Sequence, residues 1–133
     1  MAYGDLLHNV LEHLDFYAPI APQLDQMALD EEEKAVIQTF FTQPFMQDKA
    51  LQGVYKEHPF LYADDDSDVR GFIDLLIETK STFMVIDYKL KNIDKPEYIT
   101  QVEGYVNTLR MLSDKPVEGY LYSILDGTYK KVV

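Results

Sequence analysis

Apolar residues recur at two periods along this chain, and the change of period marks where helices give way to strands. Near the N-terminus Leu7, Val10, Leu11 and Leu14 repeat at helical spacing. They predict a helix over residues 5–16, with Asp5 able to cap its start. Pro19 and Pro22 interrupt the next stretch, so residues 17–29 read as a loop. Asp30 with Glu33 three residues on matches a capping box and opens a helix running to about Thr42. Pro44 breaks the chain again, ahead of a short helix around 45–50.

From Gly53 the pattern turns to strands. Residues 53–62 read as a first strand, and Pro59 assigns it to an edge or a bulge. Asp64-Asp65-Asp66-Ser67-Asp68 reads as a solvated turn; its acids are consecutive, which does not fit an EF-hand loop. Residues 69–78 and 82–90 form two strands about a tight turn at Lys80-Ser81. Helical spacing returns over 96–112, with Tyr98, Val102, Tyr105, Leu109 and Leu112 as the buried stripe. Residues 117–125 and 128–133 are two final strands joined by Asp126-Gly127. Helices, a three-strand meander, a helix and two strands together predict one mixed α/β domain, the size that 133 residues allow.

Composition narrows the chemistry. Hydrophobic residues make up 47% of the chain, as in a globular protein. There is no cysteine, which excludes disulfides, zinc–thiolate sites and an iron–sulfur cluster within the chain. No apolar run approaches the roughly 18 residues of a membrane span, and no secretory signal opens the chain, so the cytoplasm is the expected compartment. Twelve basic against 23 acidic residues leave a net charge of −11. That balance argues against an independent nucleic-acid binder, although it does not fix what a local cleft holds.

Two apolar runs each carry an acid in the middle: Gly71-Phe72-Ile73-Asp74 and Ile86-Asp87-Tyr88-Lys89. Burying an ionised carboxylate without a partner is costly. A two-residue turn at Lys80-Ser81 sets Asp74 opposite Asp87 and Phe72 opposite Lys89. Lys89 then shares a face with Asp87, because strand side chains repeat every second residue. Facing acids repel unless a cation sits between them, and a hard divalent ion such as Mg²⁺ or Mn²⁺ suits such oxygen ligands. The competing reading is a buried salt bridge between Lys89 and one or both acids.

These motifs in this order resemble the RecB-like branch of the PD-(D/E)XK nuclease superfamily. That branch includes the terminal nuclease domains of bacterial helicase–nucleases that process double-strand breaks. The matching residues are Gly71 and Asp74, then Ile86-Asp87-Tyr88-Lys89, then Gln101 with Tyr105 on the following helix. Gly4 and His8 look like the family's Gly-x-x-x-His helix, and Glu57-His58-Pro59-Phe60 like its strand with a Glu ahead of Pro-Phe. The resemblance covers about residues 4–125. It implies a restriction-endonuclease-like core, a mixed central sheet flanked by helices. It implies His8, Asp74 and Asp87 as metal ligands, with the Tyr88 carbonyl as a further one. Lys89 would orient or deprotonate the attacking water, and Gln101 and Tyr105 would face the cleft. The activity implied is that of a Mg²⁺- or Mn²⁺-dependent deoxyribonuclease, exonucleolytic, in DNA repair and recombination. Its partners would be DNA and a helicase motor in the same or a partner chain, with no membrane. Residues 1–133 would be a single nuclease domain, the C-terminal part of a larger helicase–nuclease.

Some positions depart from the pattern. Ile73 stands where the superfamily's name has proline, and Leu90 follows the lysine where threonine or serine is frequent. The iron–sulfur subgroup is excluded by the missing cysteines. His13 and His58 read as structural or exposed, and Glu57 equally as a support of the site or an exposed strand residue. A catalytically inactive nuclease-fold module binding DNA or a protein partner stays open as the alternative, favoured by the acidic balance.

Overall fold

Long-range strand pairing organises the molecule around one five-stranded sheet in the order β1-β2-β3-β4-β5. The computed structural model describes residues 3–47, 50–64 and 67–133, and only the backbone of 61–64 and 67–70. The strands are β1 Leu51–Asp64, β2 Ser67–Thr79, β3 Phe83–Lys89, β4 Val117–Ser123 and β5 Thr128–Lys131. Three helices precede them: α1 Tyr3–His13, α2 Ile20–Asp25 and α3 Glu31–Phe41. Neighbouring strands are antiparallel except β3 and β4, which run parallel. A parallel pair needs a crossover, and α4 (Pro96–Leu112) supplies it. The predicted mixed α/β architecture is therefore present, and it is compatible with a restriction-endonuclease-like fold. Among the described residues, no helix is long and apolar enough to cross a membrane.

Each face of the sheet has its own core. Leu7, Leu11, Phe40, Leu75, Ile86 and Tyr122 pack on the side of α1 and α3. Ile73, Val85, Val102, Val106 and Leu121 pack on the side of α4. Gly119 lets α4 approach β4 closely: a Cβ there would lie 2.6 Å from Val102 and 2.7 Å from Val106. The capping box of α3 is formed, with Asp30 Oδ1 accepting from the Glu33 amide at 2.8 Å and Glu33 Oε1 from the Asp30 amide at 2.9 Å.

Several predicted elements are corrected. Residues 20–25 are helical rather than loop, because Pro22 falls in the first turn of α2, where a missing N–H breaks no helical bond. Leu24, fully buried, anchors that helix. Asp5 lies within the first turn of α1 instead of capping it, and the helix ends at His13. The expected helix around 45–50 is a single 3-10 turn, Pro44–Met46, and Asp48 and Lys49 lie outside the described residues. Ser67 and Asp68 belong to β2 rather than to a turn, while Asp65 and Asp66 lie outside the described residues. Strands β4 and β5 end two residues earlier than expected. Leu112, placed on the buried stripe by its spacing, is 76% exposed. Leu112 is the last residue of α4, and Met111 beside it is exposed as well, so the helix runs past the core before the stripe ends. Pro59 does sit on an edge strand, as predicted.

Candidate metal centre

The hairpin of β2 and β3 has the predicted register. Lys80 and Ser81 form the turn, closed by the Thr79 amide donating to the Thr82 carbonyl at 2.9 Å. Glu78 faces Phe83, Ile77 faces Met84, Leu76 faces Val85 and Leu75 faces Ile86. The ladder stops there, and the next positions in register are Asp74 and Asp87. Instead of a strand carbonyl, the Asp74 carboxylate takes the next amide: Oδ2 accepts from the Tyr88 N–H at 2.8 Å. A side chain thus replaces the ladder where β3 parts from β2. Beyond that level β3 remains paired with β4, Tyr88 beside Tyr122 and Lys89 beside Ser123.

On the other side of β2, Lys56 faces Leu75 and His58 faces Ile73, which leaves Glu57 opposite Asp74. Glu57 has a φ of 47°, in the left-handed region that a non-glycine residue in a strand avoids. Both strands change face at this level. Lys56 reaches the Leu14 carbonyl and the Phe16 ring, whereas Phe60 stacks edge-on to Tyr105 of α4. Likewise Leu75 packs with α1 and α3 but Ile73 with α4. Strict alternation would keep each such pair on one face. The slip turns Glu57 and Asp74 toward α1, where His8 waits. Backbone strain of this kind persists only where the surrounding structure over-determines it, and it clusters at functional sites.

His8 is placed by its helix. Leu7 and Leu11 are buried and fix the rotation of α1, so the intervening face carries His8 over the sheet. Its Nε2 lies 2.5 Å from Glu57 Oε1 and 3.3 Å from Asp74 Oδ1. Its ring stands edge-on to Tyr88, with centroids 5.6 Å apart. One donor atom from each of His8, Glu57 and Asp74 lies within 4.8 Å of the others. The Asp87 carboxyl is within hydrogen-bonding reach of Asp74, and it is nearly sealed from solvent, 3% exposed. Asp87 Oδ2 lies 3.1 Å from Lys89 Nζ, close enough for strong attraction, yet without the alignment of a hydrogen bond. That 3.1 Å contact puts Lys89 on the same side of β3 as Asp87, as predicted.

The charges do not balance locally. Burial and the Asp74 charge push the Asp87 carboxyl up to about 7, against the lowering pull of Lys89. Burial also works against an ionised Asp74, but hydrogen bonds from His8, Asp87 and the Tyr88 amide hold it below its ordinary value. Burial and Asp74 raise Glu57. The hydrogen bond to Asp74 raises His8 from 6.5 to about 9, opposed by burial and helped by the charges of Asp74 and Glu57. Three carboxyls thus share one short row across β1, β2 and β3, and an imidazolium partly offsets them. An imidazole nitrogen with carboxylate oxygens is a donor set that suits a divalent cation. The raised Asp87 and its unaligned buried oxygen are what such a cation would satisfy.

Gln101 and Tyr105 take a different position. Gln101 Nε2 donates to the Tyr105 hydroxyl at 3.0 Å, and that hydroxyl donates to the Phe72 carbonyl at 3.4 Å. Tyr105 is buried in the α4 core. Gly71 makes room for it: a Cβ there would lie 2.9 Å from the Tyr105 oxygen. The glycine and the tyrosine of the two sequence motifs are therefore one packing unit, which fixes β2 two residues before Asp74. Of the remaining histidines, His13 bonds its own helix at the Asn9 carbonyl, 2.7 Å away, and His58 lies beside Tyr55. Sequence reasoning undervalued Glu57. The available signal was the Glu57-His58-Pro59-Phe60 order, an acid two residues ahead of a proline; its left-handed backbone left no trace in composition.

No protein-family model matches the chain. It is similar over 94% of its length to an ATP-dependent helicase/nuclease subunit of Staphylococcus epidermidis, with 30% identity. The corresponding helicase/nuclease subunit of Staphylococcus aureus is 25% identical over the same share. The chain spans 14% of the length of each of these relatives.

Proposed function

We propose that this chain is a metal-dependent deoxyribonuclease domain of the PD-(D/E)XK type that hydrolyses phosphodiester bonds of DNA, exonucleolytically, in double-strand break repair. One observation carries the reading: His8, Glu57 and Asp74 present donor atoms within 4.8 Å of one another, beside a buried Asp87 paired with Lys89. The similarity to helicase/nuclease subunits supports it, and it supports a helicase motor as the working partner. A cytoplasmic place goes with that role.

His8, Glu57, Asp74 and Asp87 would hold the ion, with the Tyr88 carbonyl as a further ligand. When bound, Mg²⁺ or Mn²⁺ supplies Lewis acidity at the phosphoryl oxygen and a more acidic water. The other roles belong to the chain's own groups. Asp74 uses one oxygen to fix the Tyr88 backbone and leaves the other toward His8, so its orientation is set before any ligand arrives. Lys89, anchored at Asp87, places an ammonium where negative charge grows on the phosphate and where an attacking water can be oriented. Gln101 and Tyr105 hold β2 in register behind the acids.

The test is to incubate the chain with linear single- and double-stranded DNA and Mg²⁺ or Mn²⁺, beside Asp87→Ala and Lys89→Ala. The expected result is metal-dependent degradation lost in both variants, with circular dichroism reporting intact folds. Binding without cleavage at high protein and low salt would instead favour an inactive nuclease-fold module, the reading that the net charge of −11 recommends.

A further inference from the structure

The Lys89 ammonium has a second neighbour besides Asp87: it lies 4.4 Å from the centre of the Tyr98 ring. We propose that Tyr98 is a positioning residue, whose ring face holds the Lys89 ammonium at Asp87 and toward the cleft. The kinetic consequence rests on the nuclease reading above; the contact itself does not.

A lysine side chain is flexible, and one ion pair leaves its head free to swing about the partner. Two contacts from different elements fix it: Asp87 on its own strand at 3.1 Å and Tyr98 on α4. Tyr98 is itself well anchored. Pro96 opens α4, the Tyr98 amide donates to the Lys95 carbonyl at 3.1 Å, and the ring packs against the core containing Val102, one turn further along. The helical spacing that marks Tyr98 as a core residue therefore describes only part of it.

The choice of a ring has a chemical reason. Glu57, Asp74 and Asp87 already crowd the site. A fourth acid at the position of Tyr98 would compete with Asp87 for the ammonium and repel the phosphate of a substrate. An aromatic face attracts a cation through its quadrupole and adds no net charge. The ammonium stays held while its N–H groups remain available to water or a phosphoryl oxygen. Lys95 approaches the same ring at 5.4 Å, so the ring accepts cations from both the strand and the helix start.

The experiment compares the wild-type chain with Tyr98→Phe and Tyr98→Leu. Steady-state cleavage of single-stranded DNA is read together with the NMR shifts of the Lys89 side-chain methylenes. Tyr98→Leu is expected to lower kcat roughly 2- to 30-fold with KM unchanged, the range a cation–π contact spans. Tyr98→Phe, which keeps the ring, is expected to retain the wild-type rate. In wild type and Tyr98→Phe the Lys89 methylene signals should lie upfield through the ring current, and in Tyr98→Leu they should move downfield. A Tyr98→Leu variant with unchanged kcat, or with an effect on KM alone, overturns the positioning role. If the wild-type chain cuts no DNA, the nuclease reading fails, and the NMR signature decides the contact alone. Unshifted Lys89 methylenes in the wild type overturn it.

Discussion

The two ends of the β2–β3 hairpin are built from the same strands and behave oppositely. At the turn end, Leu75 to Glu78 pair regularly with Phe83 to Ile86, and the central side chains are apolar and buried. One step further, Asp74 and Asp87 stand in the same register, but the ladder is replaced by a carboxylate bonding the Tyr88 amide. Glu57 beside them holds a left-handed backbone. The closed end makes the fold; the open end stores repulsion and strain that the closed end and the two helical layers must sustain. That contrast fits the proposed cation site, and it can be broken at either end.

The largest effect is expected from Asp74→Asn. The amide oxygen can still accept from Tyr88, so the fold should survive, while cleavage falls by roughly a thousandfold or more through loss of the charged ligand. Ile86→Ala, at the closed end, should do the reverse: chemical denaturation should show about 2–5 kcal/mol less stability, with activity per folded molecule retained. Glu57→Gly should separate strain from function. Glycine accepts the positive φ, so stability of the metal-free chain should stay within about 1 kcal/mol of wild type, the strain released offsetting the entropic cost of glycine and the lost His8–Glu57 contact. Its Mn²⁺ affinity should nevertheless fall, which calorimetric titration would reveal.

The smallest effect is a pH dependence. The folded-state pKa of His8 is raised to about 9, so its contribution to stability is complete below 6.5 and is lost as pH rises through 9. Asp87 is raised to about 7, so its ionisation costs stability increasingly between 3.8 and 7. Both make the metal-free chain weaker as pH rises. A metal needs the imidazole neutral and the carboxyls ionised. The increase in melting temperature on adding Mn²⁺ should therefore be larger at pH 9 than at pH 6.

Much of this contrast was legible in the sequence. The turn at Lys80-Ser81 set the register that puts Asp74 opposite Asp87 and Lys89 on the face of Asp87, because antiparallel pairing is arithmetic once a turn is known. Helix α4 was legible from Pro96 and the spacing of Val102 and Tyr105. Where the reading fell short, tertiary context decided. Pro22 is harmless in a first turn, which only the placement of α2 reveals. The face change at Glu57 and Asp74 is a backbone property of two strands together, so no pattern in either one announces it. The double role of Tyr98 was hidden because a core stripe and a lysine platform call for the same residue.

The open end of the hairpin is proposed to bind one divalent cation through His8, Glu57, Asp74 and Asp87. Titration of the chain with Mn²⁺, followed by the loss of the free-ion electron paramagnetic resonance signal, tests it without reference to DNA. One Mn²⁺ bound per chain, abolished in Asp74→Asn and weakened in Glu57→Gly, is the expected result. A wild-type chain that leaves Mn²⁺ free, or one whose binding is indifferent to Asp74→Asn, would contradict it.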